Sequence, residues 1–262
     1  MRHENELPKS KRVLAALVVL LQAIPTLSYA RVSKASNKSG ATEILSCWAG
    51  AHFEDFRSRQ AISSTLQSRD GRFSAYIKVE AIAHPAKDRK SPPCENHTSL
   101  FLVRDSKDPE LIFPANGVRV TAFGDSRDWL EGMRLVDWSA DDRLLLVDAI
   151  SWTYESDSGS QYNPLIYDVS SGLFQQPPIQ SALKKYFKNE CDFEIRSEGF
   201  SPGNGLVIRL KPALPDPNDP DEASCVKHPG LFLYNGTDNS IHQLPTSYKI
   251  HRNGSMSTPA RQ

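Results

Sequence analysis

Residues 136–152 read VDWSADDRLLLVDAISW, with a polar Ser-Ala-Asp-Asp-Arg turn between two apolar runs. Val, Ile, Leu and Trp favour strands, and the acidic residues tolerate the backbone conformations of tight turns. The stretch therefore predicts an antiparallel β-hairpin. What it means for the fold depends on whether the chain repeats it.

Two further copies of this turn occur, SRDGR at residues 68–72 and SPGNG at residues 201–205. Each turn joins two predicted strands, which are followed by a long polar loop, a third strand, a short turn and a fourth strand. The predicted strands are 61–67, 73–83, 100–105 and 110–113, then 133–138, 144–152, 165–170 and 173–176, and finally 193–200, 206–214, 231–236 and 240–244. Four-stranded meanders in tandem are typical of propeller blades.

The sequence thus predicts one all-β domain over residues 31–245, built from three tandem four-stranded antiparallel units in a propeller-like arrangement. The units cover about 44–116, 117–178 and 190–245, with one short helix near 179–189 and a disordered tail at 246–262. A closed propeller usually has at least four blades, and open sheet edges are normally covered. The alternatives are closure with help from residues 118–123 and the region 31–48, pairing of two chains into a six-bladed ring, an open array sealed by its loops, and a β-sandwich.

The second unit also resembles a known repeat family. DWSADDR at residues 137–143, followed by LIYDVSSG at residues 165–172, is similar to the WD40-like repeats of the TolB type. Those repeats read roughly W-S-P-D-G-K, then I-Y-x-x-D-x-x-x-G. SRDGR at 68–72 and FSP at 200–202 resemble further copies. The resemblance implies a β-propeller-like fold and carries over no catalytic positions.

The first thirty residues have the features of a secretory signal. A basic cluster ending at Arg12 precedes an apolar run over residues 13–24, Pro25 ends the run, and SYA at residues 28–30 offers a cleavage site. The apolar run is too short to span a bilayer as a helix. We therefore expect an exported protein, periplasmic or extracellular, that begins at Arg31 and is not inserted in a membrane after cleavage.

All four cysteines fall in the exported part, which favours two disulfides. Cys94 and Cys225 hold the same place in units one and three, six residues before the predicted third strand. Cys47 and Cys191 both precede the first strand of those units. The repeat register therefore predicts the pairs Cys47–Cys94 and Cys191–Cys225, one for each outer unit.

Charge and motifs exclude several classes of function. Lys and Arg together equal Asp and Glu at 31 each, so nothing predicts nucleic acid as a partner. Asp137, Asp141, Asp142 and Asp148 could serve glycoside hydrolysis if they lined one pocket. We interpret them instead as turn and strand-flanking residues, and we predict no catalytic residue.

A metal or cofactor is not predicted either. DPNDPDE at residues 216–222 gathers oxygen side chains of the kind that calcium prefers, but it lacks the glycine of the EF-hand loop. We interpret it as a solvated acidic loop, with calcium binding as the alternative.

Aromatic residues in and beside the second long loop indicate a binding surface. They are Trp129, Tyr154 and Tyr162. Exposed aromatics with polar neighbours are common where proteins bind one another.

The leading hypothesis is therefore an exported, non-catalytic binding or scaffold protein of the cell envelope, with a protein or envelope component as partner and a homodimer as one possible assembly. The rivals are a secreted hydrolase acting on glycans or peptides, which needs groups such as Asp137, Asp142 or His84 in one cleft, and an inhibitor that uses the loop at 85–93.

Overall fold

The structure is a computed structural model that describes Leu45, Cys47 and residues 56–84, 94–114, 129–153, 160–188, 193–211 and 229–257. These residues belong to one compact unit, residues 39–262. They form the strands β1 (Arg59–Ile62), β2 (Leu66–Gln67), β3 (Phe73–Ala83), β4 (Cys94–Arg104), β5 (Glu110–Phe113), β6 (Trp129–Trp138), β7 (Leu144–Thr153), β8 (Gln161–Asp168), β9 (Leu173–Gln175), β10 (Ile195–Phe200), β11 (Leu206–Leu210), β12 (Gly230–Asn235), β13 (Ser240–Leu244), β14 (Lys249–His251) and β15 (Ser255–Ser257), and the helix α1 (Ile179–Phe187). The all-β class predicted from the sequence is confirmed.

The first sheet has the order β1-β3-β4-β5, and β2 also pairs with β3. The single strand predicted over residues 61–67 is wrong, because Ser63 interrupts it. The Ser63 amide donates to the Ile77 carbonyl (2.8 Å), and the Ser63 hydroxyl accepts from the Ile77 amide (2.9 Å). One extra residue therefore lies between the two short strands, which is the arrangement of a β-bulge.

The second sheet has the order β6-β7-β8-β9, and its strand β7 is buried on both faces. Leu145, Val147 and Ala149 pack into a core shared with the first sheet, whereas Leu146 packs into a second core. Strands covered on both sides read as continuous apolar runs, which explains why LLLV lacks the alternation of a half-exposed strand.

The third sheet has the order β10-β11-β12-β13 and shares the second core with α1. Ile179 and Leu183 of the helix are buried there, and Phe187 packs edge-on against Phe232 of β12. The helix ends at Lys188, whose backbone is left-handed (φ 55°). No helix in the described residues is both long enough and apolar enough to cross a membrane.

The three sheets pack in chain order. The first contacts the second through β3, β4 and β6, and the second contacts the third through β6, β7, β8 and β10. The middle sheet is therefore covered on both faces, unlike either sheet of a two-sheet sandwich. The described parts of the sheets do not close into a ring.

Most strand predictions agree with the structure, and β4 differs most. The prediction began at residue 100, whereas β4 begins at Cys94 and pairs with β3 along its whole length. The first residues of β4 include the polar Glu95, Asn96 and His97, so a prediction based on apolar runs placed the start of the strand too late. Of the predicted strand 206–214, β11 accounts for residues 206–210, and residues 212–214 lie outside the described part.

The prediction of a disordered tail is wrong for residues 249–257, which form the hairpin of β14 and β15. Asn253 and Gly254 supply the positive φ angles of its turn, 59° and 61°. A side chain at Gly254 would also place a Cβ atom 2.9 Å from the Ala140 amide nitrogen. The hairpin was not predicted because the tail has few apolar residues, and its Asn-Gly turn was not considered.

The predicted bridge between Cys47 and Cys94 is present, with both residues buried. It fastens Cys47 to the first residue of β4. The Asn96 side chain also donates to the Leu45 carbonyl, so the segment preceding β1 is held at two points. Cys191 and Cys225 lie outside the described residues.

Candidate functional site

The two ends of the sheets differ in chemistry. At one end, which we call the turn edge, lie the three repeated turns that begin at Ser68, Ser139 and Ser201. At the other, which we call the loop edge, the long connections β3–β4, β7–β8 and β11–β12 leave the sheets, since successive strands of a meander alternate in direction.

At the turn edge, each serine closes its own turn in the same way. The hydroxyls of Ser68, Ser139 and Ser201 accept hydrogen bonds from the backbone amides that resume the chain, at 3.0, 2.8 and 3.0 Å. The fourth residue of each turn has a positive φ, namely 74° at Gly71, 58° at Asp142 and 61° at Asn204. Gly, Asp and Asn are the residues that tolerate this conformation, so the repeat has a local physical cause.

Asp142 has a second role, because its carboxylate joins the first two sheets. Its oxygens accept from the backbone amides of Arg69 (2.7 Å) and Asp70 (3.0 Å) in the preceding turn. The neighbouring Asp141 points to the other side and accepts from the Asn204 side chain at 3.2 Å. Hydrogen bonding, first of all from Ser139, lowers the pKa of Asp141. The three turns are therefore linked in a row.

Asp137 joins the second sheet to the third sheet and to the terminal hairpin. Its carboxylate accepts from the amides of Phe200 (3.1 Å), Asn253 (2.7 Å) and Gly254 (3.2 Å). Burial raises the pKa of Asp137, while the backbone donors act in the opposite direction. A carboxylate with three backbone donors is suited to holding strands together.

Asp148, the fourth carboxylate of the candidate hydrolytic set, is wholly buried between sheets two and three. It forms an ion pair with its cross-strand neighbour Arg134 and accepts from the Ser197 amide at 3.3 Å. Arg134 also donates to the Ser197 carbonyl at 2.6 Å. All four aspartates are thus engaged in contacts that hold sheets or turns together. Asp141 and Asp142 are turn residues as predicted, whereas the prediction that Asp148 flanks a strand is wrong, because Asp148 lies inside β7, where Arg134 and the Ser197 amide compensate for its burial.

Asp168, in the LIYDVSSG stretch, organises the turn between β8 and β9. It accepts from the Ser170 amide (2.8 Å) and from Arg143 Nη2 (2.7 Å). These contacts, the Arg143 hydrogen bond first, hold the pKa of Asp168 well below its usual range. A carboxyl whose pKa is lower in the folded state stabilises the fold above its unfolded pKa, and this contribution is lost as pH falls through the folded pKa.

We expect Asp168→Asn to lower the free energy of unfolding by about 1 kcal/mol at pH 7, since the Arg143 side chain is 58% exposed and solvent screens the pair. The difference from wild type should shrink as pH falls below about 4. Urea unfolding at several pH values measures it, with the exposed Asp108→Asn as matched control. A difference that stays constant from neutral pH to acid would contradict the role assigned to this carboxylate.

At the loop edge, Tyr162 of β8 lies at the junction of sheets two and three, surrounded by cations. The Lys211 ammonium lies 5.1 Å from the centre of its ring, and the guanidinium carbons of Arg196 and Arg134 lie at 5.3 and 6.0 Å. We call these four residues the Tyr162 cluster. Of the other predicted binding-loop residues, Trp129 is in β6 with a side chain outside the described part, and Tyr154 is outside it altogether.

A second polar group lies at the loop edge of sheets one and two; its His84 was a candidate for a hydrolytic cleft, but its contact with Glu95 was not predicted. Glu95 in β4 contacts His84 (2.9 Å) and His97 (3.3 Å). Burial raises the pKa of the nearby Glu131; His97 lowers this pKa by a smaller amount, and Glu95 raises it further. The described residues contain no group of three or more His, Cys, Asp or Glu that could hold a metal ion. The acidic loop at 216–222 lies outside them.

Comparison with known proteins adds no assignment: neither the protein-family models nor the curated proteins give a match to this chain.

Proposed function

We propose that this protein is an exported, non-catalytic binding or scaffold protein of the cell envelope, with a propeller-like array of three blades. Its partner would be a protein or another envelope component, bound at the loop edge. The signal-like first thirty residues and the Cys47–Cys94 disulfide support export, because disulfides persist in oxidising compartments. The resemblance of residues 137–143 and 165–172 to TolB-type repeats and the packing of the three sheets in chain order support blades.

The observation that carries the proposal is the Tyr162 cluster. Tyr and Arg are enriched at the centres of protein interfaces, where an aromatic ring supplies apolar area and a cation supplies directed hydrogen bonds. Here they occur together at the loop edge, whereas the aspartates that a hydrolase would need are engaged in holding turns and sheets together.

The test combines two measurements, the cleavage of the predicted signal and the crosslinking of the loop edge to a partner. The full chain is expressed in cells that export it, with a photo-crosslinking residue at Tyr162 or, as control, at the exposed Asp108 of the β4–β5 turn. We expect a mature chain that begins at Arg31 in the exported fraction, and a discrete crosslinked species from position 162 alone. An unprocessed cytosolic chain, or equal crosslinking at both positions, would contradict the proposal. Turnover of glycan or peptide substrates by the purified chain would favour the hydrolase.

Light scattering of the oxidised mature chain measures its molecular mass and therefore its oligomeric state. A mass near twice that of one chain would favour two three-blade arrays paired into a ring, as open sheet ends favour pairing. A mass of one chain would mean that the array functions alone or with a different partner.

A further inference from the structure

We propose that Asn235, at the turn between β12 and β13, is a site of spontaneous deamidation, and that the fold protects Asn204 and Asn253 from the same reaction. The inference is independent of the proposed function, because successive strands alternate in direction and this turn lies at the turn edge, away from the loop edge.

The reaction needs an asparagine followed by a residue whose backbone nitrogen is accessible. That nitrogen attacks the side-chain Cγ atom, a C–N bond forms, and the side-chain nitrogen leaves as ammonia with the proton of the attacking amide. Water then opens the cyclic imide to aspartate or isoaspartate, and either product adds a negative charge. Glycine favours the attack because it has no side chain beside the nitrogen.

The chain contains four Asn-Gly pairs, which begin at Asn116, Asn204, Asn235 and Asn253. The first lies outside the described residues, and the other three lie in turns at the turn edge. The local sequence makes these three equally suited to the reaction. They differ in the hydrogen-bond partner of the glycine nitrogen.

At two of the three pairs the glycine nitrogen is engaged. The Gly205 amide donates to the Ser201 hydroxyl at 3.0 Å, and the Gly254 amide donates to the Asp137 carboxylate at 3.2 Å. Gly254 is also buried, and the carboxylate repels negative charge that develops on its nitrogen during the attack. Because the hydrogen bond must break before the nitrogen can attack, one bond of ordinary strength slows the reaction by about tenfold.

The Asn235 turn is arranged differently. Gly236 is exposed, and its amide has no hydrogen-bond acceptor among the described residues. The Asn235 Oδ1 atom accepts from the Thr237 amide at 3.1 Å, which folds the side chain alongside the backbone of Gly236. A hydrogen bond to Oδ1 also draws electron density from Cγ, the atom that is attacked. Asn235 is therefore the reactive residue, although Asn204 is the more exposed asparagine.

The test follows each asparagine by peptide mass spectrometry. The purified, oxidised chain is kept in mildly alkaline buffer made with heavy-oxygen water, which labels each site that converts. We expect Asn235 to convert about tenfold faster than Asn204 and Asn253. In urea, where the folded contacts are lost, the three sites should convert at similar rates.

A pair of variants in the turn separates the Asn-Gly chemistry from general effects of mutation. Gly236→Ala should slow conversion of Asn235 several-fold, because the added methyl group shields the nitrogen. Its Cβ atom would lie 3.8 Å from the Tyr234 ring, an ordinary contact, so the variant should fold. Thr237→Ala keeps the Asn-Gly pair and the backbone amide, and as matched control it should convert as wild type does.

A third variant tests protection by the fold. Asp137→Ala frees the Gly254 amide and should speed conversion of Asn253 by about tenfold, with Asn204 unchanged. If the alanine variant does not fold, which acceleration at Asn204 would reveal, Asp137→Asn takes its place.

Three results would overturn the inference. They are conversion of Asn204 or Asn253 as fast as Asn235 in the folded chain, the same spread of rates in urea as in buffer, and equal rates in Gly236→Ala and Thr237→Ala. An unchanged rate at Asn253 in the folded Asp137 variant would refute the protection assigned to that carboxylate.

Discussion

Loss of the Cys47–Cys94 disulfide is expected to lower the free energy of unfolding by about 4 kcal/mol. The two cysteines are 47 residues apart, so the bridge removes the conformational freedom of a long loop from the unfolded chain. Both are buried, and the bridge anchors the segment before β1 to β4. Cys47→Ala/Cys94→Ala, compared with wild type by urea unfolding under oxidising conditions, measures the effect.

Adding a reductant distinguishes the stability that this bridge contributes from any that the other two cysteines contribute. Added to the double variant, it leaves Cys191 and Cys225 as the only cysteines that can respond, so any further loss of stability belongs to them. A double variant within about 1 kcal/mol of wild type would contradict the assignment, since natural disulfides in small domains usually contribute more.

Asp137→Ala is expected to cost about 3 kcal/mol, because it leaves the amides of Phe200, Asn253 and Gly254 without their acceptor. The terminal hairpin should loosen first, since two of the three bonds hold it. Trypsin can cleave after Lys249 and Arg252, so the rate of cleavage there reports loosening while urea unfolding reports stability.

Two further variants define the origin of the effect. Asp137→Asn keeps the shape but places an amide donor among backbone donors, and it should lose part of the stability that Asp137→Ala loses. Asp108→Ala removes an exposed aspartate of the β4–β5 turn and should stay within about 0.5 kcal/mol of wild type. If Asp137→Ala matched this control and the hairpin resisted trypsin as before, Asp137 would not join the sheets.

The elements that could be predicted from the sequence are those with a local cause. The strands at residues 73–83, 110–113 and 240–244 have the predicted bounds, because apolar runs between turn residues define them. The start of β4 was missed since its pairing with β3 compensates for polar side chains. The terminal hairpin was missed because a search for apolar content passes over a short Asn-Gly turn.

The candidate site was only partly predictable. Tyr162 was identified as an aromatic residue near a long loop, but its cations come from residues 134, 196 and 211, and no local spacing relates them. Asp141 and Asp142 were predicted as turn residues and Asp137 and Asp148 as strand-flanking residues, yet Asp137 and Asp148 accept from amides 49 to 117 residues away, which no local pattern indicates.

The sequence by itself determined the three repeated units, their turns and the place of the Cys47–Cys94 bridge in their register. It could do so because strand propensity and positive-φ turns are properties of a few adjacent residues. Only the tertiary structure decided that Asp137, Asp142 and Asp148 join successive sheets and that cations gather around Tyr162. Those contacts arise when the sheets stack, which brings distant backbone donors and side chains within hydrogen-bonding or electrostatic range.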